Sequence, residues 1–183
     1  MRLQAVLPRS DLDALLNQLL PLKVLLGADD DDDRMLVLRD ARALTFVPAT
    51  GVSLSCTADI RWSLLGIKVP IHLRELSVML TPRIATRSTG PALVFELAIE
   101  HADLAGVPAV VDAHLVERVN QALSERQVEL GWEFAKTLTH SFALPALLAN
   151  LRSFNLGVGE SSVEVVQDAL VLSVELLTSV TRA

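Results

Sequence analysis

The residues here whose types could do chemistry are five consecutive aspartates, Asp29 to Asp33, four histidines and a single cysteine, in a chain of 183 residues. A calcium loop spaces its carboxylates and places a glycine at the sharp turn. Five adjacent carboxylates repel one another and supply no turn residue, so the run predicts a solvated loop. His72, His101, His114 and His140 form no H-x-x-x-H pair and stand far from Cys56 in sequence. Glu100, His101 and Asp103 put three mixed ligand types in one stretch, without the spacing that zinc sites show. His114, beside Asp112 and Glu117, reads as a surface or helix-capping histidine. The expectation is no metal.

Nucleophile and phosphate motifs fare no better. The chain contains no G-x-S-x-G elbow and no P-loop, and GVGESS at 157–162 matches only the first half of G-x-G-x-x-G, with nothing helical after it. Cys56 occupies an apolar position of an alternating stretch, where a buried, inert thiol is expected. For a hydrolase built from a histidine and an acid, the sequence assembles no acid, base and nucleophile. The chain reads as non-enzymatic and without a cofactor.

Composition narrows the partners. Net charge is −6, the isoelectric point is near 5.2, and basic residues are scattered singly. That pattern argues against a binder of phosphate backbones. Aromatic residues make up 4% with no tyrosine, which removes the stacking platforms of single-strand binders. Hydrophobic residues reach 51% and mean hydropathy is +0.42, yet no uncharged apolar run of about 18 residues exists to span a bilayer. The excess must be covered inside the fold or at an interface. One cysteine fits a reducing compartment, and MRLQAVLPRS lacks the apolar core of a signal peptide, so a cytoplasmic location is expected. Length predicts one domain over 1–183.

The elements follow from periodicity. GVSLSCTADIRWSLL, residues 51–65, is apolar at every even position from Val52 to Leu64 and polar at every odd position from Ser53 to Ser63. Period two means a strand with one dry face. Gly66 marks a turn or sharp kink, and parity changes again at Arg74-Glu75, where a β-bulge is predicted. Pro70 belongs on an edge or at a distortion. SDLDALLNQLL reads as a helix with a capping box from Ser10 and Asp13, and VPAVVDAHLVERVNQAL as a second. A second long alternation is expected through Val128, Leu130, Trp132, Phe134, Leu138 and Phe142, then a short helix over LPALLANL. Three short strands follow, around FNLGV, SVEVV and ALVLSVEL. The order predicts an α+β fold, a long, highly curved antiparallel sheet around amphipathic helices.

Three segments resemble the TULIP superfamily of tubular lipid-binding folds, including its small bacterial single-domain members. They are GVSLSCTADIRWSLLGIKVPIHLRELSVMLTP, VPAVVDAHLVERVNQAL and FALPALLANLRSFNLGVGESSVEVVQDALVLSVEL. The resemblance implies a lipid or other acyl-chain ligand in an apolar groove between curled sheet and helices, and no catalytic residues. Candidate wall residues are Leu15 and Leu19 on the first helix, Leu54, Ile60 and Trp62 on the long strand, and Val111, Leu115 and Val119 on the second helix. Leu130, Trp132 and Phe134 complete the set. Each is also what an ordinary close-packed core requires. The alternative reading is a protein-interaction or self-assembly module with a closed core, covered by a partner or by a second copy as a homodimer.

Overall fold

The computed structural model describes residues 1–26, 34–64, 67–104, 109–125, 129–143 and 151–182. For 62–64, 67–69, 104, 109–111, 129–130 and 151 it describes the backbone alone. The aspartate run, the expected turn at Gly66, Pro108 and most of the expected helix over 144–151 lie outside the described residues. Leu151, the last residue of that helix, instead begins a strand.

Strand β1 (Arg2–Pro8) leads into helix α1 (Arg9–Leu19). Strands β2 (Leu22–Leu25), β3 (Met35–Val47), β4 (Gly51–Leu64), β5 (Ile67–Arg87) and β6 (Gly90–Leu104) then pair in an antiparallel meander. Helix α2 (Ala109–Glu125), β7 (Glu129–Trp132), helix α3 (Phe134–Leu138), β8 (His140–Ala143), β9 (Leu151–Val165) and β10 (Ala169–Arg182) complete the order. The expected single sheet is two: β1-β10-β9-β8 and β2-β3-β4-β5-β6-β7. Both are antiparallel and curled into half-barrels, and helices cover less of them than the sequence suggests.

The core is where the two inner faces meet. On β4, Val52, Leu54, Cys56, Ala58 and Ile60 are all buried, as period two demands. Leu73, Leu76, Val78 and Leu80 extend that face on β5, and Leu170, Leu172, Val174 and Leu176 on β10 answer it from the other sheet. The expected bulge is present: Cys56 pairs with Leu76 and Ala58 with Leu73, so Arg74 and Glu75 together oppose Thr57. The extra residue is what returns the apolar side chains of β5 to the inner face. Its two prolines sit where one neighbour has run out. Pro70 pairs with β4 but lies beyond the described pairing with β6, and Pro82 pairs with β6 beyond the end of β4.

Several expectations are corrected. The two strands expected around FNLGV and SVEVV are one, β9, because Gly157 and Gly159 do not break it. Instead Val158 pairs with Leu176 and Ser161 with Val174, so Gly159 and Glu160 form a bulge opposite Glu175. The second long alternation is interrupted by α3. Phe134 and Leu138 are four residues apart, a spacing that suits one face of a strand and of a helix alike, and Ala135 and Lys136 favour the helix. The capping box at Ser10 does not form: α1 begins one residue earlier, behind Pro8, with no side-chain cap, and Ser10 Oγ donates to Asp11 Oδ1 (3.1 Å). Strand β2 is too short for periodicity to reveal, and in β1 the alternation through Leu3 and Ala5 breaks at Val6 and Leu7.

Helix α2 guards an edge. Among the described residues strand β7 pairs with β6 from Leu93 to Glu96, and none of them adds a strand beside the later residues of β6 on that side. There Asn120 replaces the strand: its Oδ1 accepts from the Ile99 N–H (2.7 Å) and its Nδ2 donates to the Ile99 carbonyl (2.8 Å). Both backbone groups are satisfied and the edge is closed to further pairing. Val119, Ala122 and Leu123 bury the same face of α2 in the core.

Gly51 and Gly157 test this packing. A Cβ on Gly51 would lie 2.5 Å from the Leu80 carbonyl oxygen, whereas one on Gly157 would meet nothing within 4 Å. Gly51→Ala should cost about 1 to 3 kcal/mol. Gly157→Ala should be neutral or stabilise by up to about 1 kcal/mol. Urea unfolding midpoints of the two variants check both.

Candidate functional site

At the end of the fold where β4 begins, the sheets do not close on each other. Between them lies a cavity of about 560 Å3. From the six-stranded sheet come Val52, Leu80, Leu93 and Phe95, together with Gly131 and Trp132 of β7. The other sheet contributes Ala5, Val6 and Leu7 of β1, and Leu170 and Leu172 of β10. Helix α1 turns Leu12, Leu15, Leu16 and Leu19 toward the space, the i, i+3, i+4, i+7 stripe of an amphipathic helix.

The lining grades from deep to open. Val52, Leu170 and Leu172 are buried, while Val6 (57% exposed), Leu15 (44%), Leu19 (48%) and Trp132 (47%) remain in contact with solvent and define a mouth. Trp132 stacks edge-on against Phe134, with ring centroids 5.9 Å apart. Phe134 itself is fully buried and anchors the pair. Close approach at the β5–β6 turn keeps α3 in place: Gly90 has φ +112°, and a Cβ there would lie 3.0 Å from Ala135 Cβ. A bulkier residue at 90 would be strained and would push α3 away.

Of the candidate wall residues, Leu15, Leu19 and Trp132 line this cavity. Leu54, Ile60, Val119 and Phe134 belong to the close-packed core, and Leu115 is partly buried against it. The side chains of Trp62, Val111 and Leu130 lie outside the described residues. Sequence reasoning did not single out β1 or the Leu80, Leu93, Phe95 wall. Leu80 follows the parity change predicted at Arg74-Glu75, but nothing in a strand's pattern says whether its apolar face meets protein or space.

The polar chemistry sits elsewhere, on the outer face of the six-stranded sheet. Arg39 Nε donates to Asp59 Oδ2 (2.5 Å) and His72 Nδ1 lies 2.6 Å from Asp59 Oδ1. The bond with His72 holds the Asp59 carboxyl below the usual carboxylate range, with Arg39 helping and partial burial opposing. Neighbouring rungs carry Ser53 to Glu100 (3.1 Å), Ser55 to Glu75 (3.4 Å) and Thr57 to Asp40 (3.4 Å). Asp59 and His72 are thus the one histidine–acid pair of the kind a hydrolase uses among the described residues at hydrogen-bond distance on a strand face. Its acid is shared with Arg39, the ring is exposed, and no described hydroxyl or thiol bonds to it. Cross-strand pairs of this kind stabilise a solvated sheet face. Cys56 lies on the opposite, inner face, where burial pushes its thiol up to about 11, so it stays protonated and inert at neutral pH. Among the described residues no group of three or more His, Cys, Asp or Glu could hold a metal ion. No helix among them is long and apolar enough to cross a membrane.

No family model matches the chain, and no curated protein matches it either.

The lowered pKa of Asp59 sets a direction with pH. Its ion pairs contribute stability above the unfolded-state carboxylate pKa, about 3.9, and lose it as pH falls through the lower folded-state value. Asp59→Asn should therefore be less stable than wild type at pH 6, by no more than about 1 kcal/mol for so exposed a cluster. The difference should shrink toward zero as pH falls below the lowered folded-state value. Urea midpoints of both proteins across that range measure it.

Proposed function

We propose that this chain is a non-enzymatic binder of a lipid or other acyl-chain molecule, held in the apolar cavity between the two curled sheets and α1. One observation carries the reading. Protein interiors are packed as densely as organic crystals, with few voids larger than a water molecule, whereas this fold keeps about 560 Å3 open, walled by apolar residues and glycine. That volume falls in the range of small-molecule sites. The walls are aliphatic apart from Phe95 and Trp132, which suits a flexible chain better than a rigid ring system. Membership of the TULIP superfamily is part of the proposal, supported by the curled antiparallel sheets and the helix laid along β6. A cytoplasmic location belongs to it too, on the strength of a lone unpaired cysteine.

A second reading has its own observation. Phe142, Phe154 and Val180 are cross-strand neighbours on the four-stranded sheet, and Phe142 and Val180 are half exposed. An interaction or self-assembly module would cover that row with a partner or a second copy. The two readings differ in what the α1 cavity does.

Leu15→Trp adds volume at the cavity mouth, while Val119→Trp adds it to a fully buried position on α2. The first should abolish uptake of a fluorescent fatty acid with a stability change below about 1 kcal/mol, the second should overpack and destabilise by about 1 to 3 kcal/mol or more. Wild type that takes up neither fatty acid nor phospholipid probe would discard the binding proposal and favour the module.

A further inference from the structure

The cavity's size and chemistry restrict what it can hold more sharply than its existence does. Apart from the Trp132 indole N–H at the mouth, no lining side chain can donate or accept a hydrogen bond. No polar or charged side chain is buried among the described residues. A carboxylate or phosphate drawn inside would lose its water and gain no partner. The head of any amphiphile must therefore stay at the mouth, beyond Val6, Leu15 and Leu19, where the lining is already wet.

Volume fixes the rest. A methylene group takes roughly the space of one water molecule in the liquid, about 30 Å3. The cavity of about 560 Å3 then accommodates one alkyl chain of about eighteen carbons. Two such chains need twice the space, and the buried floor of Val52, Leu170 and Leu172 belongs to strands hydrogen-bonded on both sides, so neither sheet opens between its strands to admit a second chain.

Building on the acyl-binding reading above, we propose that the ligand is a single-chain amphiphile, chain inward and polar head outside, and that diacyl lipids are excluded. A free fatty acid and a lysophospholipid share that chemistry and differ only at the head.

Native mass spectrometry and calorimetry on the full, delipidated chain test it with decanoate, palmitate, docosanoate, palmitoyl lysophosphatidylcholine and dipalmitoyl phosphatidylcholine. Palmitate should bind one per chain, at least tenfold tighter than decanoate, which leaves the cavity half empty, and than docosanoate, which overfills it. Lysophosphatidylcholine matching palmitate would mean that the head is not read; palmitate alone would mean that it is. Either supports the single-chain site. Dipalmitoyl phosphatidylcholine binding as tightly as palmitate, or affinity indifferent to chain length, would overturn the proposal while leaving acyl binding intact. Failure of every probe to bind would overturn both.

Discussion

The apolar face of β4 cannot be left in water. Five alternate side chains from Val52 to Ile60 leave almost no surface exposed, and burial of Val52, Leu54 and Ile60 is worth about 1.5 to 3 kcal/mol each. A sheet with one such face must find a cover, and two curled antiparallel sheets do so by facing each other. The bulge at Arg74-Glu75 restores parity on β5, the bulge at Gly159-Glu160 bends β9 to follow, and prolines fall where a neighbour has ended. Each irregularity keeps two apolar faces in register over lengths at which strict pairing would turn them outward.

The same geometry explains why the interior is not filled everywhere. Long twisted strands hold a close-packed core through Leu54, Leu73, Leu76 and Val174, where both faces are broad. At the β4 end, the sheets are continued by short edge strands, β1 and β7, and by α1 lying across the gap. Ala5 and Gly131 leave room there among larger apolar lining residues. The cavity is thus a consequence of curvature meeting short edges. The outer face carries a different chemistry, a lattice of serine, threonine, acid and base pairs centred on Asp59, which keeps that side solvated and single-sheeted.

Much of the scaffold was legible because its period is strict. The long strand at 51–64, the bulge at Arg74-Glu75 and the second helix follow directly from the spacing of apolar residues. What could not be read falls into physical classes. Phe134 and Leu138 satisfy both periods at once, so a helical turn looks like more strand. Gly157 and Gly159 signal a break by composition, yet act as a bulge once β10 supplies the pairing. The pairing of sheets is not local information. Leu15, Leu19 and Trp132 were candidate wall residues and line the cavity; Leu54, Ile60, Val119 and Phe134 were too and are core. An inward stripe specifies that a side chain is dry, and only the opposing sheet determines whether it touches protein or space.

An acyl chain bound as proposed would lie in the space beneath α1. Methyl-resolved NMR of leucine- and valine-labelled protein, titrated with a fatty acid carrying a nitroxide on its chain, locates the chain directly. Strong paramagnetic broadening is expected at the Leu16, Leu80, Leu93 and Leu172 methyls, with Leu73 and Leu76 much less affected. Broadening centred on Leu115 and Val119 of α2, with the methyls beneath α1 untouched, would contradict it.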